Sequence, residues 1–395
     1  MKSHGIALSL LLTFTALAAV PAHASFGSCV AGLQSSVVKS GVSGTTAKAA
    51  LGGAAYDEKV VRFSQAQPEY KTPIWDYIAF LVDEERVETG RKMMKKHGAT
   101  LKAVERAYGV DRHAIAALWG VESNFGEAQG DFFIPHALAN LVCAGRRAKF
   151  WQSELIEALK LVDRGDLRLG DLRGSWAGAF GQTQFIPSTY RRLAVDFDRD
   201  GRRDLVHSVP DALASTANYL KRSGWQKGRP WGHEVILPRG YKGKSSRKAK
   251  VSLSTWSKRG LRKARGGKLS GSDKAGLILP AGASGPAFLV MKNFDALYSY
   301  NLAESYALAI SHLSDLMQGG KPFVTTWPTD DPGLSRAQRL DLQRRLNKKG
   351  FDVGEPDGKV GPATRAGIRQ AEADLGLPVT GRPGMKVYRG LGGRK

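Results

Sequence analysis

Apolar residues recur at spacings of three and four through residues 25–224, which predicts a mainly helical region. Helices are expected over 30–40, 83–97 and 101–108. A further helix should start at Asp111, a good N-cap, and run to Glu122. Residues 150–164 carry the best amphipathic pattern, with Leu155, Ile156, Leu159 and Val162 on one side. Residues 72–77 (Thr-Pro-Ile-Trp-Asp-Tyr) read as a turn carrying aromatics. From 231 to 290 the texture changes, and 235–238, 276–280 and 287–290 are short strand-like runs. Between the first two lies a lysine- and arginine-rich stretch, 242–268, read as either a solvated loop or a contact surface. Helix returns over 303–317. Residues 320–333, rich in Gly, Pro, Thr and Asp, read as a linker, and 334–395 as a small separate unit.

One stretch stands out within this pattern. On the helix after Asp111, Ile115, Leu118, Trp119, Glu122 and Phe125 share a face by their spacing. That face is apolar except for Glu122. Burial penalises a charged carboxylate and raises its pKa. A carboxylic acid that holds its proton near neutral pH is a competent general acid. The blander reading is a boundary glutamate paired with a basic side chain. Ser123-Asn124-Phe125-Gly126 ends the helix just past the glutamate, where clefts tend to form.

Composition adds compartment and partners. The 395 residues suggest two domains, and 42% hydrophobic content suffices for folded cores. Lys2, the apolar residues 7–19 and Ala22-His23-Ala24 read as a secretory leader over 1–24, with the mature chain starting at Ser25. Phe26-Gly27-Ser28 before Cys29 is a poor lipobox and lies too far from the apolar run, so lipoprotein anchoring is not expected. No later run reaches membrane-spanning length, so no stable membrane insertion is expected after the leader. In an oxidising compartment Cys29 and Cys143, the only two cysteines, are expected to form a disulfide. The formal charge of +23, from 59 basic and 36 acidic residues, favours polyanions. Those are nucleic acid, acidic lipid or an acidic cell-wall polymer, and export argues against nucleic acid.

Two more stretches bear on chemistry. Residues 175–190 mix small residues, aromatics, Ser175 and Gln184, which suits a sugar: flat surfaces for ring faces, hydroxyl and amide groups for edges. Tight helix–loop packing would use the same residues. Asp196, Asp198, Asp200, Arg202 and Asp204, with Gly201 at position six, follow a calcium loop of the EF-hand kind. His207 replaces the usual terminal acid, and Asp211 farther on is the substitute a longer loop would use. An exposed acidic turn is the alternative. Arg146 and Arg147, just after Cys143, would bring cations near the cleft if the disulfide anchors them.

Taken in order, Gly120-Val121-Glu122-Ser123-Asn124-Phe125-Gly126, Arg146-Arg147, Ser175-Trp176-Ala177-Gly178-Ala179, Gly181-Gln182-Thr183-Gln184-Phe185-Ile186-Pro187-Ser188, the Asp196 loop, Ala217-Asn218-Tyr219 and Tyr300-Asn301 closely resemble the lytic murein transglycosylase B family. The resemblance implies an α+β, mainly α fold: a lysozyme-like helical catalytic domain over 25–319 with a small β subdomain and the EF-hand-like loop. It implies Glu122 as sole catalytic acid/base, and Ser175, Gln184, Arg146, Arg147, Tyr77, Tyr219, Tyr300 and Tyr306 as glycan-cleft residues. Phe150 stands where the family is expected to place a tyrosine. Residues 340–346, Gly350-Phe351, Asp357-Gly358-Lys359-Val360-Gly361, Thr364, Ile368 and 376–381 resemble the three-helix peptidoglycan-binding module, with Ala371-Glu372 departing from its usual Phe-Gln. The expected activity is cleavage of the β-1,4 bond between N-acetylmuramic acid and N-acetylglucosamine with formation of a 1,6-anhydro ring. It needs no cofactor for its chemistry, with structural Ca²⁺ as a further expectation. A monomeric, soluble periplasmic protein acting on glycan strands follows. A water-using muramidase and a non-catalytic wall-binding scaffold are the alternatives.

Overall fold

In a computed structural model the chain is described over residues 22–65 and 72–394. The leader expected over 1–24 lies, up to residue 21, outside the described residues. No helix among the described residues is long and apolar enough to cross a membrane. The fold is mainly helical, with two small sheets.

The helical body has two cores. One surrounds the helix Arg112–Ser123, with Glu84–Lys96, Gly98–Tyr108, Val209–Arg222 and Glu304–Met317 packed about it. Residues Ala114 to Gly120 are all buried, so this helix is apolar on every side, as a helix enclosed by others must be. Asp111 caps its start by accepting from the His113 amide, and Asn124 ends it in the left-handed conformation. The second core gathers Ala22–Lys39, Gly44–Leu51, Ile134–Cys143, Ala148–Asp163 and Pro187–Leu193. Cys29 and Cys143 are joined in a disulfide, with Cα atoms 6.0 Å apart, which ties the first helix to the end of Ile134–Cys143. Tyr219 and Tyr300 pack against both cores and so mark the seam.

Three local expectations need correcting. Residues 72–77 do not make a turn. Pro73 caps the helix Ile74–Leu81, whose Ile74, Ile78 and Leu81 are buried at helical spacing; a proline at a helix start leaves no bond unmade. Phe125 does not continue the Glu122 face, because its own φ of 61° turns the chain back. Its ring then meets Trp119 edge-on, with centroids 5.5 Å apart.

The third correction concerns the basic stretch. The smaller sheet pairs β1 (Phe132–Phe133) with β2 (Arg173–Gly174), and the larger is five-stranded and antiparallel. The larger sheet has strands β3 (Gly232–Ile236), β4 (Ser246–Ser252), β5 (Arg262–Lys263), β6 (Lys274–Ile278) and β7 (Ala287–Val290), in the order β4-β6-β7-β3-β5. Residues 242–268 thus form both edges of the sheet and the helix Leu253–Lys258 between them. Lysines and arginines at edges discourage pairing with other chains. On β4, Arg247 and Lys250 also reach inward to Asp295, at 2.6 and 3.1 Å.

The C-terminal helices Arg336–Lys348, Pro362–Asp374 and Met385–Gly390 enclose Leu342, Leu346, Ile368 and Tyr388. Residues 320–333 lack helix or strand, as a linker should, yet they are pinned down. Phe323 stacks on His312 with ring centroids 3.8 Å apart, and the Glu234 carboxylate accepts from the amides of Val324 and Thr325, both at 2.8 Å. Arg382 forks onto the Asp76 carboxylate and also pairs with Asp331, which holds the C-terminal module against Ile74–Leu81.

Candidate active site

The seam between the two cores opens into a cleft of about 640 Å³. Glu122 enters from one wall, at the end of its helix. Opposite and around it stand Arg146, Arg147, Trp151, Ser175, Gln184 and Asn301. Among the described residues lining the cleft, Glu122 is the only carboxylate.

Glu122 is half-buried by area because it faces the cleft, but the surrounding protein strips its hydration. Burial therefore pushes its pKa up to about 7, against the smaller opposing pull of a hydrogen bond donated by the Tyr306 hydroxyl to Oε1. Tyr306 is itself buried, and its phenol is raised well above the ordinary value, first by burial and then by the charges of Glu122, Tyr300 and Tyr77. Tyr300 stacks on Tyr306 at 6.3 Å and donates to the Thr183 carbonyl at 2.5 Å. The loop after Glu122 is fixed in turn. Ser123 Oγ donates to the Gln182 carbonyl at 2.5 Å and accepts from the Gly126 amide at 2.8 Å. A carboxyl with this environment is protonated for a useful fraction of molecules at neutral pH, and can give and then retrieve a proton.

The opposite wall is a tight backbone fold. Gly181 has a φ of 77°, and a side chain there would meet the Leu205 carbonyl at 2.7 Å, so only glycine fits. Gln184 follows at φ 53° and donates its amide to the carbonyls of Gln129 and Gly181, at 2.8 and 2.9 Å. What it brings to the cleft is an acceptor, Oε1. Ser175 Oγ accepts from the amides of Ala177 and Ala179, at 3.3 and 3.0 Å, which leaves its hydrogen to donate. Arg147 lies 4.4 Å over the Phe150 ring, so the ring that replaces the expected tyrosine serves as a platform for a cation.

Of the sequence-predicted cleft residues, Arg146, Arg147, Ser175, Gln184 and Tyr300 line the cleft with Glu122. Tyr219 and Tyr306 stand behind its wall. The Tyr219 hydroxyl donates to the Ser299 carbonyl at 2.7 Å, and its ring packs at 4.7 Å on Tyr300. Tyr77 lines a separate groove beside the C-terminal module. Phe63, Ser64 and Trp151 line the cleft without having been singled out. Phe63 is 37% exposed on the helix Glu58–Gln65, and an exposed aromatic on a helix is a signal that needs the fold to interpret.

The acidic loop also departs from its sequence reading. Oxygens of Asp196, Asp198 and Asp211 lie within 4.8 Å of one another. Asp211, fully buried, joins the cluster as the longer loop requires, and accepts from the amides of Phe197 and Asp204 at 2.7 and 2.8 Å. Asp200 and Asp204 stand outside this cluster: their carboxylates accept from amides of their own loop, Arg202 in one case, Val206 and His207 in the other, all at 2.8 Å. Arg202 adds no carboxylate to it. Asp196 Oδ1 is buried without a hydrogen-bond partner. Three converging carboxylates and an orphaned oxygen fit a hard cation such as Ca²⁺.

Comparison with known proteins places this geometry. The curated membrane-bound lytic murein transglycosylase B of Escherichia coli (strain K12) is 33% identical over 240 residues, which is 59% of this chain and 64% of that protein. The crystal structure of SltB3 from Pseudomonas aeruginosa in complex with NAG-anhNAM-pentapeptide is 41% identical, with a TM-score of 0.74 over 93% of this chain and 99% of that one. The Escherichia coli lytic transglycosylase Slt35 in complex with calcium is 27% identical, with a TM-score of 0.65 over 75% and 93%. Residues 335–391 match the peptidoglycan binding domain family. Residues 25–315, most of the chain, match the transglycosylase SLT domain family, and the protein belongs to that family.

Proposed function

We propose that the protein is a lytic murein transglycosylase, cleaving the β-1,4 bond between N-acetylmuramic acid and N-acetylglucosamine and leaving a 1,6-anhydro end. The observation that carries this reading is a single carboxyl, its pKa raised to about 7, in a cleft whose described lining holds no other acid. A two-carboxylate glycosidase needs a second acid roughly 5–9.5 Å away. With one, the substrate must supply the rest. Glu122 gives its proton to the glycosidic oxygen as the bond to the anomeric carbon breaks. The muramoyl N-acetyl carbonyl oxygen bonds to that carbon. Ionised Glu122 then takes the proton of the C6 hydroxyl, whose oxygen displaces the carbonyl and closes the ring. An internal hydroxyl has the advantage of proximity over water. Ser175 and Gln184 offer a donor and an acceptor to sugar edges, and Arg146 and Arg147 offer cations to muramoyl carboxylates. Tyr306 and Tyr300 hold Glu122 from behind.

The proposal extends to the rest of the chain. Residues 1–24 direct export to the periplasm, 25–319 form the catalytic domain, and 334–395 bind the wall. Asp196, Asp198 and Asp211 hold Ca²⁺, a structural ion with no part in bond cleavage. Mass spectrometry of digested glycan tests the reaction. Ends lighter by one water than muramidase products are expected. Mainly hydrated reducing ends would mean a hydrolase, and no new ends at all would mean a binding scaffold.

A further inference from the structure

A second large groove, about 760 Å³, lies where the C-terminal module meets the catalytic body. Its apolar lining includes Tyr77, Phe80, Leu334 and Val360. Among its described lining residues are four cations, Arg339, Lys359, Arg365 and Arg382, and one carboxylate, Asp76. Two of the cations are committed. Arg382 is forked onto Asp76 and paired with Asp331. Arg339 is buried, donates to the carbonyls of Leu334 and Gly358 at 2.7 and 2.9 Å, and lies 4.5 Å over the Phe80 ring. Lys359 and Arg365 are different. Both are exposed, and neither has an ion-pair partner among the described residues. They sit on the loop before, and the first turn of, the helix Pro362–Asp374.

The groove is also close to the chemistry. Tyr77 lines it from Ile74–Leu81, a helix that packs on Glu304–Met317, which carries Tyr306 and its bond to Glu122. Two packed helices thus connect the wall of this groove to the residue that holds Glu122. Sugars are neutral and polar, whereas the groove is apolar and cationic. The matching part of the polymer is its peptide stem: an extended chain with aliphatic side chains and free carboxylates.

We propose that the interdomain groove is a binding site for the peptide stem of the strand being cut, with Lys359 and Arg365 receiving its carboxylates. The site lies between two units that the Arg382–Asp76 pair and the Arg339–Phe80 contact join, so it belongs to neither alone. It rests on the transglycosylase reading for its substrate. The Lys359→Ala/Arg365→Ala double variant tests it, since both side chains are exposed and unpaired and their loss leaves the cores intact. On peptide-bearing strands KM should rise about tenfold with kcat unchanged, the value of two exposed charge pairs. On the same strands stripped of peptides by an amidase, neither constant should move. No change on peptide-bearing strands, or equal changes on both, overturns the proposal. Calorimetric titration with the free stem pentapeptide reads the site apart from turnover. If the wild type cuts neither polymer, the transglycosylase reading fails, yet peptide binding that weakens about tenfold in the double variant still upholds the groove. Peptide binding equal in both proteins overturns it.

Discussion

Replacing Glu122 by glutamine should abolish activity and, above neutral pH, make the protein more stable. The substitution keeps the side-chain shape and an acceptor for Tyr306, and removes the charge. In the folded chain the carboxyl pKa rises from the ordinary 4.5 to about 7. The folded state then holds a proton that the unfolded chain releases, so stability falls as pH climbs from about 4.5 to about 7 and stays low above that. At about 1.4 kcal/mol per pH unit, the ionised form costs about 3 kcal/mol in the folded state. Glutamine escapes that penalty. At about 2 °C per kcal/mol for a chain of this size, calorimetry near pH 8.5 should find the variant melting roughly 6 °C higher. Near pH 4, where both states are protonated, the two curves should coincide. Turnover of purified glycan should fall by roughly 10²–10⁴-fold, the usual contribution of a general acid. A stability gain of equal size at both pH values, or none near pH 8.5, would refute the buried-acid argument. Substantial turnover would refute the catalytic assignment.

Other perturbations reach the scaffold. The Cys29→Ser/Cys143→Ser double variant, which opens a link between residues 114 apart, should lose about 4.8 kcal/mol by denaturant titration in the chain-entropy account, and unchanged stability would contradict it. Millimolar calcium should raise the melting temperature, by the equivalent of about 2.7 kcal/mol at a hundredfold excess over Kd, and Asp196→Asn should remove the effect. Identical melting in calcium and chelator would leave the loop an acidic turn. Arg382→Ala should release the C-terminal module, seen as a larger maximum dimension in X-ray scattering, while short soluble glycan is still cut. Scattering unchanged from the wild type would mean that the Asp76 pair is not what holds the module.

Much of the candidate site was legible in the chain because its signals are local. Asp111, the buried run to Trp119 and the Asn124 terminus lie within a few turns, and each acts on its neighbours through helix geometry. The alternation of acids from Asp196 likewise announces a loop, though which of them converge depends on how the chain folds back to Asp211. Other features depend on distant segments. Tyr306 lies 184 residues from the glutamate it bonds, and no periodicity links them. The lysines of 242–268 resemble those of a solvated loop, since an edge strand and a loop both expose charge; only pairing with β6 and β3 tells them apart. Residues 320–333 have a linker's composition, yet Glu234 and His312, donated by a sheet and a helix, fasten them. The sequence by itself determined that the chain is mainly helical, that Glu122 sits near the end of an apolar helix, and which two cysteines exist to be joined. Tertiary structure alone decided that the acid is backed by a buried phenol, that Tyr77 faces another groove, and that two modules share one surface. The reason is that backbone periodicity is set within a turn or two, whereas desolvation and charge pairing are set by whichever segments the folded chain brings together.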